Sequence, residues 1–461
     1  MRSQMQRRDF LSFLAAGGWS AAAARASAQG GGGRPNIVFM MADDLGYGDL
    51  SCYGQAKFST PNIDRLATEG IRFTQAYAGS TVCSPSRCVL MTGLHTGHCS
   101  YRGNVNGEPG IPDSDVTMAE VLREAGYATG IFGKWGLGNV GMPGYATRQG
   151  FDRWYGFLNQ GQAHNYYPRY LMSDDVAEML RENVVYGDKA PKDYAPDRIQ
   201  KNALEWLDKQ SAARPFFLYL PYTLPHANGE KRRDTGNGME VPAGHPYENK
   251  PWPAPEQGFA GMMYHLDMLV GQIMDRLRAK GLDRNTLVIF TSDNGPHKEG
   301  GRNPEFFKSS GPLRGIKRDL TEGGIRVPFI ARMPGTIPAG KTSEQVLAFW
   351  DLLPTFAELT KAKKLQGLDG VSMLRPLLGK GEIPHAPLYW EFYEGGFKQA
   401  IRDGKWKAIR KGLKGKIELY DLSADIHEDK DLAAAHPEIV RRMETLFGEM
   451  RTDSPLFPIK G

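Results

Sequence analysis

The chain has 461 residues, 41% of them hydrophobic and 24% charged, which excludes a disordered or fibrous protein and exceeds what one small core requires. Its formal charge of +5 would suggest an anionic partner, but Arg2, Arg7, Arg8 and Arg25 against Asp9 fall within residues 1–28, leaving 53 basic and 51 acidic residues. That near-balance gives no sign of nucleic-acid or membrane-surface binding, and no apolar run beyond the first thirty residues is long enough to span a bilayer.

In chain order, Arg7-Arg8 followed by the apolar stretch Phe10–Ala24 and by Ala26-Ser27-Ala28 predicts a twin-arginine-type signal peptide over 1–28, and hence a periplasmic or secreted location. Gly30–Gly33 is a flexible spacer. Asn36–Met41 is an apolar run of strand length ending in Asp43-Asp44. Thr60-Pro61 opens a helix that Gly70 closes, with Ile63 and Leu66 inward. A helix from Thr117 to Gly126 leads into the strand Tyr127–Phe132 and then Gly133-Lys134-Trp135. The strand Pro215–Leu220 precedes Pro225-His226, and the strand Thr286–Thr291 precedes Ser292-Asp293-Asn294-Gly295. Strands alternating with helices predict an α/β fold, a large mainly parallel sheet flanked by helices, over 34–380. From 386 to 461 short strands (388–392, 399–402, 406–410) and a closing helix (438–450) predict a small C-terminal α+β subdomain.

Each buried run delivers a charged or coordinating group just past its C-terminal end, where open α/β sheets place their sites. Asp43, Asp44, Asp293 and Asn294 offer hard oxygen donors suited to Ca²⁺ or Mg²⁺, although either pair taken singly also fits a turn or a helix N-cap. In Cys83-Ser84-Pro85-Ser86-Arg87, Pro85 fits a first helical turn. Cys83 is therefore expected near a helix N-terminus, which favours an anion, with the fixed fork of Arg87 one turn on. The alternative is a buried Cys preceding a helix.

Cys83-Ser-Pro-Ser-Arg87 with the trailing Leu90-Met91-Thr92-Gly93 resembles the motif of the type I sulfatases, the arylsulfatase family of the alkaline phosphatase superfamily. The resemblance runs on through Asp43-Asp44, Gly133-Lys134-Trp135, Pro225-His226, Ser292–Gly295, Leu313–Lys317 and Glu322–Pro328. It implies an alkaline phosphatase-like fold and a sulfuric ester hydrolase. Cys83 would be oxidised by a maturation enzyme to formylglycine, whose hydrate attacks sulfur with one hydroxyl and releases sulfate through the other. It further implies one Ca²⁺ on Asp43, Asp44, Asp293 and Asn294, with Arg87 steadying the hydrated aldehyde, Lys134 and Lys317 holding sulfate oxygens and His226 protonating the leaving alcohol.

Many relatives read Gly-Lys-Trp-His-Leu where this chain has Gly136; His164 in Ala163–Pro168 is the expected replacement as a substrate or diol contact, its alternative a surface-loop histidine. Neither His95 nor His98 is given a role. The expected substrate is sulfated carbohydrate of galactose or N-acetylgalactosamine type, or an aryl sulfate. Arg314, Arg318 and Arg326 are candidates for its anionic neighbours, and Trp154, Tyr166, Tyr167 and Trp252 for its sugar faces, each fitting a place in the core equally well. Once Cys83 is consumed, Cys52, Cys88 and Cys99 remain, and Cys88–Cys99 is one pairing open to them. A phosphatase or phosphonate monoester hydrolase of the same superfamily, or a non-catalytic exported glycan-binding protein, are the competing readings.

Overall fold

A computed structural model describes residues 34–104, 109–184 and 190–459; the signal-peptide reading of 1–28 falls outside them. The strands are β1 (Asn36–Ala42), β2 (Ile71–Tyr77), β3 (Ala128–Gly133), β4 (Arg153–Gly156), β5 (Tyr170–Ser173), β6 (Val176–Met179), β7 (Phe216–Pro221), β8 (Thr286–Ser292), β9 (Arg326–Arg332) and β10 (Lys341–Ala348). They form one sheet in the order β10-β2-β9-β8-β1-β7-β3-β4-β5-β6. Its centre, β8-β1-β7-β3, is parallel, whereas β9 runs antiparallel to both β2 and β8, and β5 and β6 turn back at the far edge.

The central strands read as continuous apolar runs because both faces are covered. Along β1, Ile37, Phe39 and Met41 enter one core and Val38 and Met40 the other, the period-two alternation of a strand. Helices Cys83–Thr92, Met118–Glu124 and Leu352–Thr360 lie on the first face. Ala195–Asp208 and the 26-residue helix Ala254–Ala279 cover the second. Thr117 caps the helix it opens through a reciprocal capping box with Glu120.

The C-terminal strands β11 (Leu388–Phe392), β12 (Lys398–Asp403), β13 (Trp406–Lys411) and β14 (Ile417–Asp421) form an antiparallel meander. One face of it packs on the helix Pro437–Glu449 through Met443 and Phe447. The other sends Leu388, Trp390 and Phe392 into the core of the large sheet. A polar pin reinforces the join: Lys407 of β13, fully buried, sits 2.8 Å from Glu322 and 2.9 Å from Glu428, and Glu428 accepts the backbone N–H of Glu322 at 2.7 Å. Removing Lys407 would leave two carboxylates facing each other out of water, so Lys407→Ala is expected to cost about 3–5 kcal/mol, read from the urea midpoint of unfolding. A loss below about 1 kcal/mol would mean that the pin does not hold the two sheets together.

Candidate active site

Adjacency in the sheet turns four distant sequence positions into one site. Because β8, β1, β7 and β3 are neighbours, the loops leaving their C-terminal ends converge, bringing Asp293-Asn294, Asp43-Asp44, His226 and Lys134 together. The turn after β1 is fixed by the backbone N–H of Asp43 on the carbonyl of Leu224 and that of Asp44 on the Asp293 carboxylate. Asp44 takes a left-handed φ of 64°, a conformation Asp tolerates better than most residues. Two further loops close the site. Cys83 begins the helix Cys83–Thr92, whose N-cap Val82 offers no side-chain acceptor; the Ser84 N–H goes to Asn104 Oδ1 at 3.4 Å and Pro85 has none to give, so the positive end of this helix faces the site chiefly through Cys83 itself. Lys317 sits on a loop tied to the body by its own N–H on the Pro296 carbonyl and by that of Arg318 on Thr81.

The result is three carboxylates interleaved with three cations, all buried. Lys134 lies 2.6 Å from Asp43 and Lys317 2.7 Å from Asp44. Arg87 lies 2.7 Å from Asp293 and 3.6 Å from Asp43, while donating to the Lys134 carbonyl. Burial alone would raise the Asp43 carboxyl, but Lys134, His226 and Arg87 outweigh it and hold the group well below the usual carboxylate range. Asp293 moves the other way, raised by burial and by its neighbour Asp43. The Cys83 sulfur is 3.4 Å from Asp43, and burial with that carboxylate pushes its thiol up to about 12. An unmodified Cys83 is thus a thiol at neutral pH and a poor nucleophile.

His226 donates from Nδ1 to the carbonyl of Ala227 at 2.8 Å, leaving Nε2 turned to the site, 3.3 Å from Lys317 Nζ and 3.4 Å from Asp44. Burial and Lys317 lower its pKa well below the ordinary histidine value. His164 stacks on it, ring centres 4.3 Å apart and 11° from parallel, with its own Nε2 buried and without a hydrogen-bond partner. The loop histidine of the sequence reading therefore reaches the centre, whose charges Lys134, Asp43, Lys317 and Asp44 all act on it. Gly136, at φ 76°, faces Ser84 and Arg87; a side chain added there would point toward the Cys83 helix.

The oxygen donors fit a divalent cation. Asn294 spends its amide N–H groups on Asp44 and on the Gly295 carbonyl, while its Oδ1 is buried with no partner. Asp43, Asp44, Cys83 and His226 present ligand atoms all within 4.8 Å of one another. His297 and Glu299 stand beside Asp44, a grouping the sequence reading missed. Both His297 ring nitrogens are committed, Nε2 to the Pro225 carbonyl and Nδ1 to the Glu299 N–H, so the pair buttresses the site. Only the nearness of His297 to Asp293-Asn294 in the chain could have signalled it.

The other candidates are held by partners of their own, Arg318 at the margin of the site through Glu299. Arg314 extends over Tyr420 of β14, 5.1 Å from its ring centre. Arg326 is buried against Glu322, and Arg318 bridges Glu299 and Glu394. Trp154 and Tyr166 are core residues with no face to offer a sugar. Tyr167 packs against Tyr194, and Trp252 against Tyr247 and Phe307. His95 and His98 flank Asp369 in the loop after the Cys83 helix. All four cysteines are free thiols, so the Cys88–Cys99 pairing is not formed.

Comparison with known proteins agrees with this geometry. Residues 35–362 match the sulfatase family model, and residues 316–453 match the model described as N-sulphoglucosamine sulphohydrolase, C-terminal. The chain belongs to the sulfatase family and is a sulfuric ester hydrolase. It is 31% identical to the N-acetylgalactosamine-6-O-sulfatase of Bacteroides thetaiotaomicron over 505 residues, covering 91% of this chain and 93% of the relative. To human arylsulfatase A it is 35% identical over 467 residues, covering 89% and 87%. The crystal structure of Ps i-CgsB in complex with k-i-k-neocarrahexaose superposes with a TM-score of 0.76 at 30% identity, covering 93% of this chain and 95% of that one.

If Asp43, Asp44, Asp293 and Asn294 hold a divalent ion, the ion binds the folded chain in preference to the unfolded one, and chelation removes that stabilisation. EGTA is expected to lower the melting temperature by several degrees, added Ca²⁺ to restore it, and Asn294→Ala to blunt the response. A melting temperature indifferent to EGTA and Ca²⁺ would rule out this donor set.

Proposed function

We propose that the protein hydrolyses sulfate monoesters of sulfated carbohydrate, of the galactose or N-acetylgalactosamine type, using formylglycine made from Cys83 and one Ca²⁺ held by Asp43, Asp44, Asp293 and Asn294. The observation that carries this reading is the balanced set of three carboxylates and three cations around Cys83. A divalent ion added to it leaves a net positive pocket, which a singly charged sulfate ester offsets in part. The named activity of the 31% identical N-acetylgalactosamine-6-O-sulfatase and the oligosaccharide bound by Ps i-CgsB support the substrate class. Arg7-Arg8 and Ala26-Ser27-Ala28 support a periplasmic or secreted location, and the Cys83 motif a maturation enzyme as partner. We read 34–380 as the catalytic domain and 386–461 as its C-terminal subdomain.

When present, formylglycine supplies as its hydrate the attacking oxygen that a protonated thiol cannot, and calcium polarises the sulfate and that hydrate. The chain does the rest. With Asp43 and Asp44 holding a metal, Lys134 and Lys317 would be available to hold sulfate oxygens. Arg87, pinned by Asp293 and the Lys134 carbonyl, fixes the side of the pocket next to residue 83. The S–O bond to the alcohol breaks, and the leaving oxygen needs a proton. His226 would deliver it from Nε2, the ring nitrogen turned to the site and 3.3 Å from the Lys317 ammonium. The bound anion favours the charged imidazolium that burial and Lys317 otherwise disfavour.

The deciding experiment is mass spectrometry of the tryptic peptide Phe73–Arg87 from protein made in its native host. An aldehyde in place of the Cys83 thiol is expected, together with faster turnover of sulfate than of phosphate esters. An intact thiol in fully exported, active protein would overturn the nucleophile and bring forward the phosphatase reading.

His164, with an unpaired Nε2 beside His226, is proposed as the contact that stands in for the histidine absent at Gly136. His164→Ala is expected to lower kcat or raise KM about tenfold or more, in line with the loss of one charge-assisted hydrogen bond. Unchanged kcat and KM would leave it a packing residue.

A further inference from the structure

The C-terminal meander places two lysines where a sheet ordinarily avoids them. In the antiparallel pairing of β12 with β13, Lys398 stands directly opposite Lys411. Like charges at opposed cross-strand positions repel, and a structural pair would bring an acidic neighbour. Lys411 is exposed, as is Lys414 in the following turn, and among the described residues neither has a carboxylate within ion-pair distance. Lys398 donates to the carbonyl of Arg318 at 3.4 Å and lies 5.5 Å from the centre of the Phe392 ring. These lysines rim a groove of about 520 Å³ whose floor is apolar: Phe397, Leu413 and Ile459. Leu413 is 44% exposed.

The groove also begins beside the reaction centre. Glu394, one residue before the glycine turn Gly395-Gly396 that edges it, lies 3.0 Å from Arg318, the neighbour of Lys317. The bond from Lys398 to the Arg318 carbonyl sets the groove rim one residue along the chain from Lys317.

We infer that this groove is a subsite for the sulfated polymer beyond the sugar being cleaved, with Lys398, Lys411 and Lys414 meeting its sulfate groups and Phe397 and Leu413 the apolar faces of its rings. The inference rests on the carbohydrate reading of the substrate. The three unneutralised cations make the ligand anionic, and the apolar floor between them fits pyranose C–H faces better than a nucleic-acid backbone or a lipid headgroup. It also gives the small sheet a task besides packing.

The test uses the full-length matured protein, migrating in native gels cast with chondroitin 6-sulfate, neutral dextran or double-stranded DNA. Retardation by chondroitin 6-sulfate is expected, weakened at least fivefold in apparent Kd by Lys411→Glu with Lys414→Glu and, independently, by Phe397→Ala; dextran and DNA are expected to leave migration unchanged. Variants retarded as strongly as the wild type would overturn the subsite. Equal retardation by DNA would show an unspecific cationic surface and overturn it as well. Sulfate release from a small aryl sulfate by the wild type reports separately on the catalytic reading, so that failure of one is distinguishable from failure of the other.

Discussion

The structure is organised around the difficulty of burying Asp43, Asp44 and Asp293 within a few ångströms of one another. Each carboxylate removed from water needs a compensating charge at contact distance, and here each has one: Lys134, Lys317 and Arg87 respectively. Those partners come from three different places in the chain, so the constraint fixes the relative position of the β3 loop, the 308–321 loop and the Cys83 helix. A one-residue shift in any of them would strand a buried charge. The same balance that satisfies folding also makes the site receptive to a cation followed by an anion, and in this way stability and chemistry share one set of contacts.

Much of this was legible in the sequence, for a physical reason. Doubly covered parallel strands must be continuously apolar, so the places where β1, β3, β7 and β8 stop and a charge begins are sharp boundaries. Asp43, Lys134 and Asp293 sit on those boundaries, and His226 follows β7 by a short loop. The edges carried weaker signals. β10 is largely polar and β9 holds a proline, and it is β9, with β5 and β6 at the far edge, that departs from the parallel pairing of an otherwise mainly parallel sheet. The long helix Ala254–Ala279 is apolar on much of its circumference and interrupted by Gly258, Gly261 and Gly271, which removes the one-sided pattern that identifies a helix.

Side-chain partners were legible only where a motif fixed them. Arg314, Arg318 and Arg326 are all cations near Lys317 in the chain, yet three different neighbours claim them: Tyr420, the Glu299–Glu394 pair, and Glu322. Trp154 and Tyr166 went into the core because an aromatic side chain gains more from burial than from exposure. Lys407, which reads as an ordinary strand lysine, proved fully buried between two glutamates from other parts of the chain. Such pairings depend on tertiary placement, about which local sequence carries no information.

The near-complete burial of Cys83, at 1% exposure, bears on how the protein is made. An enzyme that oxidises this side chain must surround it, and in the finished fold Asp43, Lys134 and the helix behind leave no room for a second active site. On the proposed function, oxidation would have to come while the 73–87 segment is still accessible in the unfolded chain, and folding would then seal the product in. If Arg7-Arg8 directs export of an already folded chain, both events belong to the compartment of synthesis. Every molecule that crosses the membrane then carries its nucleophile, or its lack of one, for the rest of its lifetime.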